Sequence, residues 1–266
     1  MPAELADAPA SAPIRLDVRA ATPADVKAAV RAGCRDFAKR PLLSLFFGLV
    51  FALFGFLLIA GLTVFDQIWM VIAAGVGFPL VAPFLAAGLY EMSRRLGQGE
   101  RFGASDIFLV VFRQQRRELG WMSFVVLFVF WIWAYQIRLI LALTLQNVSF
   151  RSFEHLAGAI FTTLDGMTFL FIGTLVGAFL ATVLYSITVI AMPLLLDKEV
   201  DFVTAMITSI KTVLKSPAVM LGWGALVGAL TLLSIAPAFI GIIIAFPILG
   251  HTTWHLYQRL VQEAPG

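Results

Sequence analysis

Residues 42–65 read LLSLFFGLVFALFGFLLIAGLTVF, a run of 24 positions without a charged side chain. A helix needs about 20 predominantly apolar residues to cross a bilayer, so this run is long enough for one crossing. Three further stretches are also free of charge and long enough to cross, namely residues 67–90, 119–137 and 166–196. Each of them predicts one membrane-spanning helix.

A fifth charge-free stretch, residues 216–258, is longer than the others and holds 43 positions with two histidines. As a single helix it would be about 65 Å long at 1.5 Å per residue, whereas the hydrocarbon core is about 30 Å thick. The stretch must therefore cross twice. Ser234 to Pro237 is the expected break, because proline ends a helix that approaches it. We predict an all-α, polytopic membrane protein with six transmembrane helices.

The basic residues are distributed unequally between the two sides of this topology. Only Arg138 and Arg151 fall on one side, and the other seventeen lysines and arginines share the opposite side. The positive-inside rule places that basic side, with both termini, in the cytoplasm. We therefore predict a multi-pass protein of the bacterial inner (cytoplasmic) membrane. The sequence pI of 9.2 is explained by attraction to anionic lipids of the cytoplasmic leaflet and does not suggest nucleic acid.

Composition divides the chain into a tail and a single domain. Residues 1–20 are rich in Ala and Pro and lack the apolar region of a signal peptide, so we expect a disordered cytoplasmic tail. Residues 21–266 form a single six-helix transmembrane domain. The single cysteine, Cys34, excludes a disulfide framework and a cysteine metal site.

Three cytoplasmic segments have the pattern of amphipathic helices that lie in the membrane interface. The first has Thr22 as N-cap and Pro23 at the first helical position. A second segment spans residues 105–117 and a third spans residues 201–215. We expect the apolar faces of all three to enter the lipid, with Val26, Val30, Gly33 and Phe37 on that face of the first. Basic residues recur every four positions along the first segment and are predicted to bind the membrane surface: Lys27, Arg31, Arg35 and Lys39.

The spacing of landmarks suggests three degenerate repeats, each of one interfacial helix and two crossings. Asp25 lies sixteen positions before Pro41, and Asp201 lies sixteen positions before Pro217. A glycine follows seven positions after each proline, at Gly48 and Gly224. The middle copy has neither landmark, so chance matching among apolar residues is the alternative. Internal repeats are common in transporter folds.

Candidate chemical sites are few. No ionisable side chain lies near the midplane of a crossing, where charges are costly and mark function. Arg138 is the nearest exception, and we expect it to snorkel to the outer interface or to pair with Asp165 or Glu154; an anion or substrate site is the alternative. No Ser–His–carboxylate set and no nucleotide-binding motif occurs. We predict that the chain is not an enzyme.

Two histidines share a helix face at the cytoplasmic end of the last crossing, because His251 and His255 are four residues apart. Such a pair can hold zinc or the edge of a haem. No third ligand is evident, and the adjacent Trp254 and Tyr257 favour an aromatic belt at the membrane interface. We therefore predict no cofactor and no metal.

Small residues at four-residue spacing predict close helix packing within the membrane body. Two such pairs occur, on the fourth and the fifth crossing: Gly173 with Gly177, and Gly224 with Gly228.

Several stretches resemble an uncharacterised bacterial family of integral membrane proteins classed as a domain of unknown function. They are residues 40–51 (RPLLSLFFGLVF), 193–206 (PLLLDKEVDFVTAM) and 216–226 (SPAVMLGWGAL), and the similarity extends over nearly the whole chain after about residue 15. The resemblance implies a six-helix inner-membrane protein without an established activity. The family is sometimes likened to cytochrome c oxidase subunit I. That subunit needs six histidines for its metals, and this chain has three.

The expected function is therefore non-catalytic, as an accessory or scaffold for lipids or for another membrane complex. The alternative is a transporter or channel for a small neutral or amphipathic solute. A continuous polar cavity at mid-membrane would favour the transporter, and a dry, packed bundle would favour the scaffold. The side chains expected to line a transport path are Thr174, Thr182, Tyr185, Ser186 and Thr188.

Overall fold

The computed structural model describes residues 16–63, 68–113, 116–145 and 153–263. Within these ranges the chain is almost entirely helical, with one pair of short strands. In chain order the elements are β1 (Leu16–Val18), α1 (Pro23–Lys39), α2 (Pro41–Thr63), α3 (Ile68–Gln98), α4 (Ala104–Arg113), α5 (Arg116–Thr144), α6 (Phe153–Thr162), α7 (Leu164–Thr188), α8 (Ala191–Asp197), α9 (Phe202–Lys215), α10 (Pro217–Ile235), α11 (Ile242–Leu260) and β2 (Val261–Glu263).

Four stretches in the described ranges are long and apolar enough to cross a membrane: Pro41–Gly61, Glu118–Thr144, Leu164–Asp197 and Pro217–Ile235. Their large apolar side chains face outward, as Leu42 at 84% and Leu232 at 71% exposure illustrate. An apolar exterior of this kind requires lipid around it. The all-α membrane fold class is confirmed, and α3 and α11 remain predicted crossings.

The start of α1 follows the local sequence signals. The Thr22 hydroxyl accepts a hydrogen bond from the backbone N–H of Asp25 at 3.2 Å, and the Asp25 carboxylate accepts one from the backbone N–H of Thr22 at 3.0 Å. This reciprocal capping box satisfies N–H groups that have no partner inside the helix. Asp201 caps α9 in a similar manner by accepting from the N–H of Thr204 at 2.9 Å.

Helix α11 lies among α1, α2, α3 and α10. Two glycines allow its backbone to be approached closely. A Cβ atom at Gly48 of α2 would lie 2.1 Å from the carbonyl oxygen of Ile243, and one at Gly33 of α1 would lie 2.7 Å from the backbone nitrogen of Thr252. Since real Cβ atoms are not found so close to backbone, both contacts require glycine.

The fourth predicted crossing is interrupted between α7 and α8. Pro193 has no N–H to donate to the carbonyl of Val189, which weakens the helix at this point. The N–H of Ile190 donates instead to the hydroxyl of Ser209 on α9, at 3.1 Å. The short helix α8 after the break is buried from Ala191 to Leu195.

The two ends of the described chain are joined. Strands β1 and β2 pair antiparallel, with Asp17 opposite Gln262, and the N–H of Arg19 donates to the carbonyl of Leu260 at 2.7 Å. The predicted disordered tail of residues 1–20 is therefore wrong for residues 16–20, while residues 1–15 lie outside the described part. The sequence missed this strand because three residues carry too little periodicity to identify it.

Candidate functional site

The most unusual group of side chains is a buried polar network on the C-terminal half of α11. His251 is fully buried, and its Nε2 lies 3.1 Å from the hydroxyl of Ser44 on α2. Its Nδ1 lies 2.7 Å from the hydroxyl of Ser93 on α3. A hydroxyl can both donate and accept, so both ring nitrogens of a neutral imidazole are satisfied. The histidine therefore connects three helices through hydrogen bonds.

A second connection joins α11 to α1. The Nε2 of His255 lies 2.6 Å from a carboxylate oxygen of Asp36, which is 3% exposed. Burial opposes ionisation of the Asp36 carboxyl, but hydrogen bonds from His255 and Ser93 favour the carboxylate. Together these interactions hold the pKa of Asp36 below its usual value. We define the His–Asp network as Asp36, Ser44, Ser93, His251 and His255.

The predicted aromatic belt beside these histidines is wrong. Trp254 is fully buried and Tyr257 is 2% exposed, so neither side chain lies at a lipid interface. Trp254 stacks near Tyr90 with ring centroids 6.5 Å apart, and the Tyr257 hydroxyl donates to Asp197 at 2.7 Å. These aromatic residues are core residues because α1 and α8 cover this end of α11. Among the described residues, no three His, Cys, Asp or Glu side chains are placed to hold a metal.

A second buried charge lies on α3, two residues before Ser93 of the network. Glu91 of α3 is fully buried, and its two carboxylate oxygens accept from Arg94 at 2.7 and 2.8 Å and from Arg95 at 2.5 Å. These arginines follow at three and four positions, which is the spacing of neighbours on a helix surface. That spacing was a signal for this ion cluster that the sequence interpretation missed.

The basic stripe of α1 is exposed, as its spacing predicts. Lys27, Arg31, Arg35 and Lys39 lie on the solvent side, whereas Ala29, Ala32 and Gly33 on the opposite side are buried. Lys39 lies 3.8 Å from Asp36. For the other three cations, the described part of the chain supplies no ion-pair partner.

The apolar faces of the short helices are placed differently from the prediction. On α1, Val26 and Val30 pack against the protein core, and on α4, Ile107 and Phe108 do the same. The prediction that these residues enter lipid is therefore wrong. A helix that packs on other helices and an interfacial helix place apolar residues with the same period. The spacing of apolar residues on α1 and α4 therefore does not distinguish the two.

On helix α9, hydroxyl-bearing residues face the protein and several large apolar residues face outward. Its hydroxyl-bearing face is buried, at Thr208, Ser209 and Thr212. A line of apolar residues points outward, with Val203 at 44%, Ile207 at 47% and Leu214 at 70% exposure. This exposed stripe, with the exposed Lys211 along it, is available to a membrane surface.

The four glycines predicted to pack helices divide into two groups. A Cβ at Gly224 would lie 3.1 Å from the ring of Tyr185, and one at Gly177 would lie 3.5 Å from Trp133. At Gly173 and Gly228 the same test finds no atom within 4 Å. Closer contacts are made at other glycines, where a Cβ would lie 2.1 Å from Ile243 at Gly48 and 2.2 Å from Ala159 at Gly166.

The side chains predicted for a transport path have partners within the protein. Thr182, Ser186 and Thr188 donate to carbonyls of their own helix, one turn earlier. The Tyr185 hydroxyl donates to the carbonyl of Met220 on α10 at 2.7 Å. Thr174 is exposed. They therefore do not converge on a common polar space.

Arg138 and Asp165 are both exposed, and no ion pair joins them. Arg138 lies near the C-terminal end of α5, a position that permits its side chain to snorkel. The side chain of Glu154, the other predicted partner, lies outside the described residues.

A cavity of about 240 Å³ lies between α2, α10 and α11. Its lining is apolar except for Thr231, whose hydroxyl donates to the carbonyl of Val227 at 2.8 Å. We call it the α2–α10–α11 cavity. Its lining residues are Phe51, Gly55, Thr231, Ile235, Phe239, Ile242, Ala245, Phe246 and Leu249.

Comparison with known proteins identifies one family. Residues 69–197 match a family model described as predicted integral membrane protein (DUF2189). The matched segment is just under half of the chain and runs from α3 to α8, so the resemblance to an uncharacterised family of integral membrane proteins is confirmed over that segment. The similar stretches at residues 40–51 and 216–226 lie outside it. No curated protein and no solved structure matches the chain.

Proposed function

We propose that this chain, whose residues 69–197 match the DUF2189 family of predicted integral membrane proteins, is a non-catalytic scaffold of the bacterial inner membrane. It associates with anionic lipids through the exposed face of α1 and supports lipids or another membrane complex around its body. The observation that carries the proposal is the row of exposed cations on α1, three of which have no ion-pair partner in the described structure.

The position of α1 supports a role at the membrane surface. The helix ends at Lys39, and α2 begins two residues later at Pro41. Leu42, the next residue, is 84% exposed and requires lipid. The last turn of α1, with Arg35 and Lys39, therefore lies next to the point where the chain enters the bilayer. Each cation near an anionic leaflet contributes about 1 kcal/mol to membrane association.

The exposed stripe of α9 supports the same orientation. Val203, Ile207 and Leu214 would enter the lipid boundary, while the exposed Lys211 remains in the layer of head groups. Lys215 is followed after Ser216 by α10, just as Lys39 is followed after Arg40 by α2. With both basic helices on the cytoplasmic side, both termini are cytoplasmic.

The proposed topology has six crossings and an internal repeat, and the first and third copies support it. With Asp25 aligned to Asp201, the buried positions of α1 at 29, 32, 33 and 36 correspond to buried positions of α9 at 205, 208, 209 and 212. The linking residues have similar backbones, with φ −137° and ψ 58° at Arg40 and φ −148° and ψ 65° at Ser216. The shared burial pattern and the similar linker backbones support the proposed repeat.

The alternative, a transporter, has two observations in its favour. The buried His–Asp network lies on membrane-proximal helices, and α7 and α8 form an interrupted helix, as in many transporters. The apolar lining of the α2–α10–α11 cavity and the internally bonded Thr182, Ser186 and Thr188 favour the scaffold instead.

The proposal is tested by lipid selection in native-like discs. The full chain is extracted with polymer from membranes of phosphatidylethanolamine and phosphatidylglycerol, and the lipids that leave with it are quantified. Wild type should be enriched in phosphatidylglycerol. Changing Lys27, Arg31, Arg35 and Lys39 together to glutamine should remove the enrichment, and high salt should weaken it.

A charge-preserving variant supplies the control. Exchanging lysine for arginine and arginine for lysine at the same four positions should keep the enrichment, because the net charge of α1 is unchanged. Equal lipid composition for wild type and the glutamine variant would contradict the proposal. Uptake of a solute by liposomes containing the purified protein would favour the transporter.

A further inference from the structure

We infer that the α2–α10–α11 cavity is a binding site for one acyl chain of a membrane phospholipid. The inference rests on the proposed placement of α2 and α10 in the bilayer and adds a specific lipid site to it. The site is separate from the basic face of α1, which is proposed to bind lipid head groups.

The depth of the cavity matches acyl chains. Phe51 and Gly55 lie ten and fourteen residues after Pro41, about 15–21 Å along α2 from its inner end. Thr231 and Ile235 lie fourteen and eighteen residues after Pro217, about 21–27 Å along α10. In a hydrocarbon core about 30 Å thick, these positions lie in the outer half, where acyl chains are found.

The chemistry of the lining excludes polar ligands. The hydroxyl of Thr231 is engaged by its own helix, and the other lining residues offer apolar surface or ring faces. A water molecule needs two to four polar partners, which this lining does not supply. An empty cavity would deprive the lining atoms of dispersion contacts. The suitable occupant is therefore a flexible apolar chain.

A strained turn shapes one wall of the cavity. Ala238 and Phe239, between α10 and α11, have positive φ values of 51° and 67°. For a bulky residue such as Phe239, this left-handed conformation is uncommon and costs free energy. The turn directs the Phe239 ring against Gly55, where a Cβ atom would lie 2.2 Å from the ring. Glycine at this position makes room for the ring that forms the wall.

The helices around the cavity continue into a lipid-facing surface. Phe56 follows the lining residue Gly55 and is 56% exposed, and Ile240 and Ile244 beside the strained turn are 66% and 53% exposed. A phospholipid in the surrounding bilayer could insert one chain between α2 and α10 without crossing a polar barrier. The phospholipid is thus the occupant that is present at the correct depth and in excess.

The inference is tested by photochemical labelling of the full-length protein. The protein is reconstituted in phosphatidylcholine liposomes that contain a phosphatidylcholine with a diazirine in the middle of one acyl chain. After irradiation, the labelled peptides are mapped by mass spectrometry. Labelling should be several-fold higher at the cavity residues of α2, α10 and α11 than on the lipid-exposed faces of α5 and α7.

Two substitutions of alanine by phenylalanine distinguish a defined site from general lipid contact. Ala245→Phe places a ring in the cavity and should lower the cavity labelling several-fold. Ala225→Phe adds the same ring at an exposed position of α10 and should leave the labelling unchanged. Thr231→Phe serves as a second blocking variant if Ala245→Phe does not fold. Even labelling of all lipid-exposed helices, unaffected by a folded blocking variant, would overturn the inference.

The same experiment distinguishes related outcomes. A free fatty acid that carries the diazirine and labels the cavity in place of the phospholipid would also overturn the assignment. Because phosphatidylcholine has no net charge, the glutamine variant of α1 should be labelled like wild type. Loss of head-group selection by α1 and loss of cavity labelling are therefore separate results.

Discussion

At the scale of single residues, Gly48 should be essential for the contact between α2 and α11. A Cβ atom there would lie 2.1 Å from a backbone oxygen, which cannot move as a side chain can. Gly48→Ala should therefore lower the stability of the protein by about 1–3 kcal/mol, the usual range for overpacking. The measurement is the temperature at which half of the purified protein loses its monodisperse elution peak.

Gly173→Ala is the matched control for this prediction. No atom lies within 4 Å of a Cβ at Gly173, and alanine favours a helix over glycine by about 1 kcal/mol. This variant should be as stable as wild type or more stable. An equal loss of stability in both variants would show that the membrane body packs differently around Gly48.

The carboxylate of Asp36 makes a further residue-scale prediction, on acid stability. Because the pKa of Asp36 is lower in the folded protein than its usual value, the stability it contributes is complete above the unfolded pKa of about 3.9. That stability is lost as the pH falls through the lower folded value. Wild type should therefore become less stable in this acidic range.

Asp36→Asn tests the acid dependence. The variant should be less stable than wild type at pH 7 and should lose less additional stability as the pH falls below 4. The measurement is the melting temperature from pH 7 to pH 3. Parallel curves for wild type and Asp36→Asn would contradict a contribution from this carboxylate.

Residue-scale features were predictable from sequence where their partners are local. The cap formed by Thr22 and Asp25 spans four residues, and its pattern predicted the start of α1. The partners of His251 could not be predicted in this way, because Ser44 and Ser93 are 207 and 158 positions away. No periodicity in one sequence connects positions so far apart.

At the scale of elements, the sequence predicted helices more reliably than the neighbours of those helices. The stripe of α1 was identified, but its other face was assigned to lipid. That face carries Ala29, Ala32 and Gly33, and small residues are typical of close contact between helices. On α9, the Ser and Thr residues pack inward because their hydroxyls bond to backbone groups, including the N–H of Ile190.

The pairing of β1 with β2 makes a prediction at the element scale. Deleting residues 1–20 removes β1, the hydrogen bond from Arg19 to Leu260 and the acceptor for Lys215, whose amine donates to the carbonyl of Val18 at 2.5 Å. This deletion should lower the melting temperature. Deleting residues 1–14 leaves all these contacts in place and should have little effect. Equal melting temperatures for the two deletions would show that the strand pair does not stabilise the protein.

At the scale of the whole molecule, the distribution of charge predicts which side of the membrane each end occupies. Cys34 is the single cysteine and is exposed on α1. A membrane-impermeant maleimide should label it only after the cells are permeabilised. In a Cys34→Ser background, Ala238→Cys at the exposed α10–α11 turn should be labelled in intact cells. The reverse pattern would contradict the proposed orientation.

Hydropathy predicted the membrane class but not the special position of α11. Its C-terminal half carries His251, His255, Gln258 and Arg259, which lower its mean hydropathy. Of these four residues, only Arg259 adds a formal charge. The structure explains these residues, because α1 covers this half and supplies Asp36 as a partner. A sequence interpretation that assigns every long apolar stretch to lipid cannot distinguish a helix covered by protein.

The contact between α1 and α11 also has a consequence for biosynthesis. His255 follows Asp36 by 219 positions, which a ribosome needs about 10–45 s to translate at 5–20 residues per second. During that interval α1 has been made, but the helix that buries Ala29, Gly33 and Asp36 has not. If translation stalls before α11 emerges, the nascent chain leaves uncovered a carboxylate and a close-packing face that are buried in the folded protein.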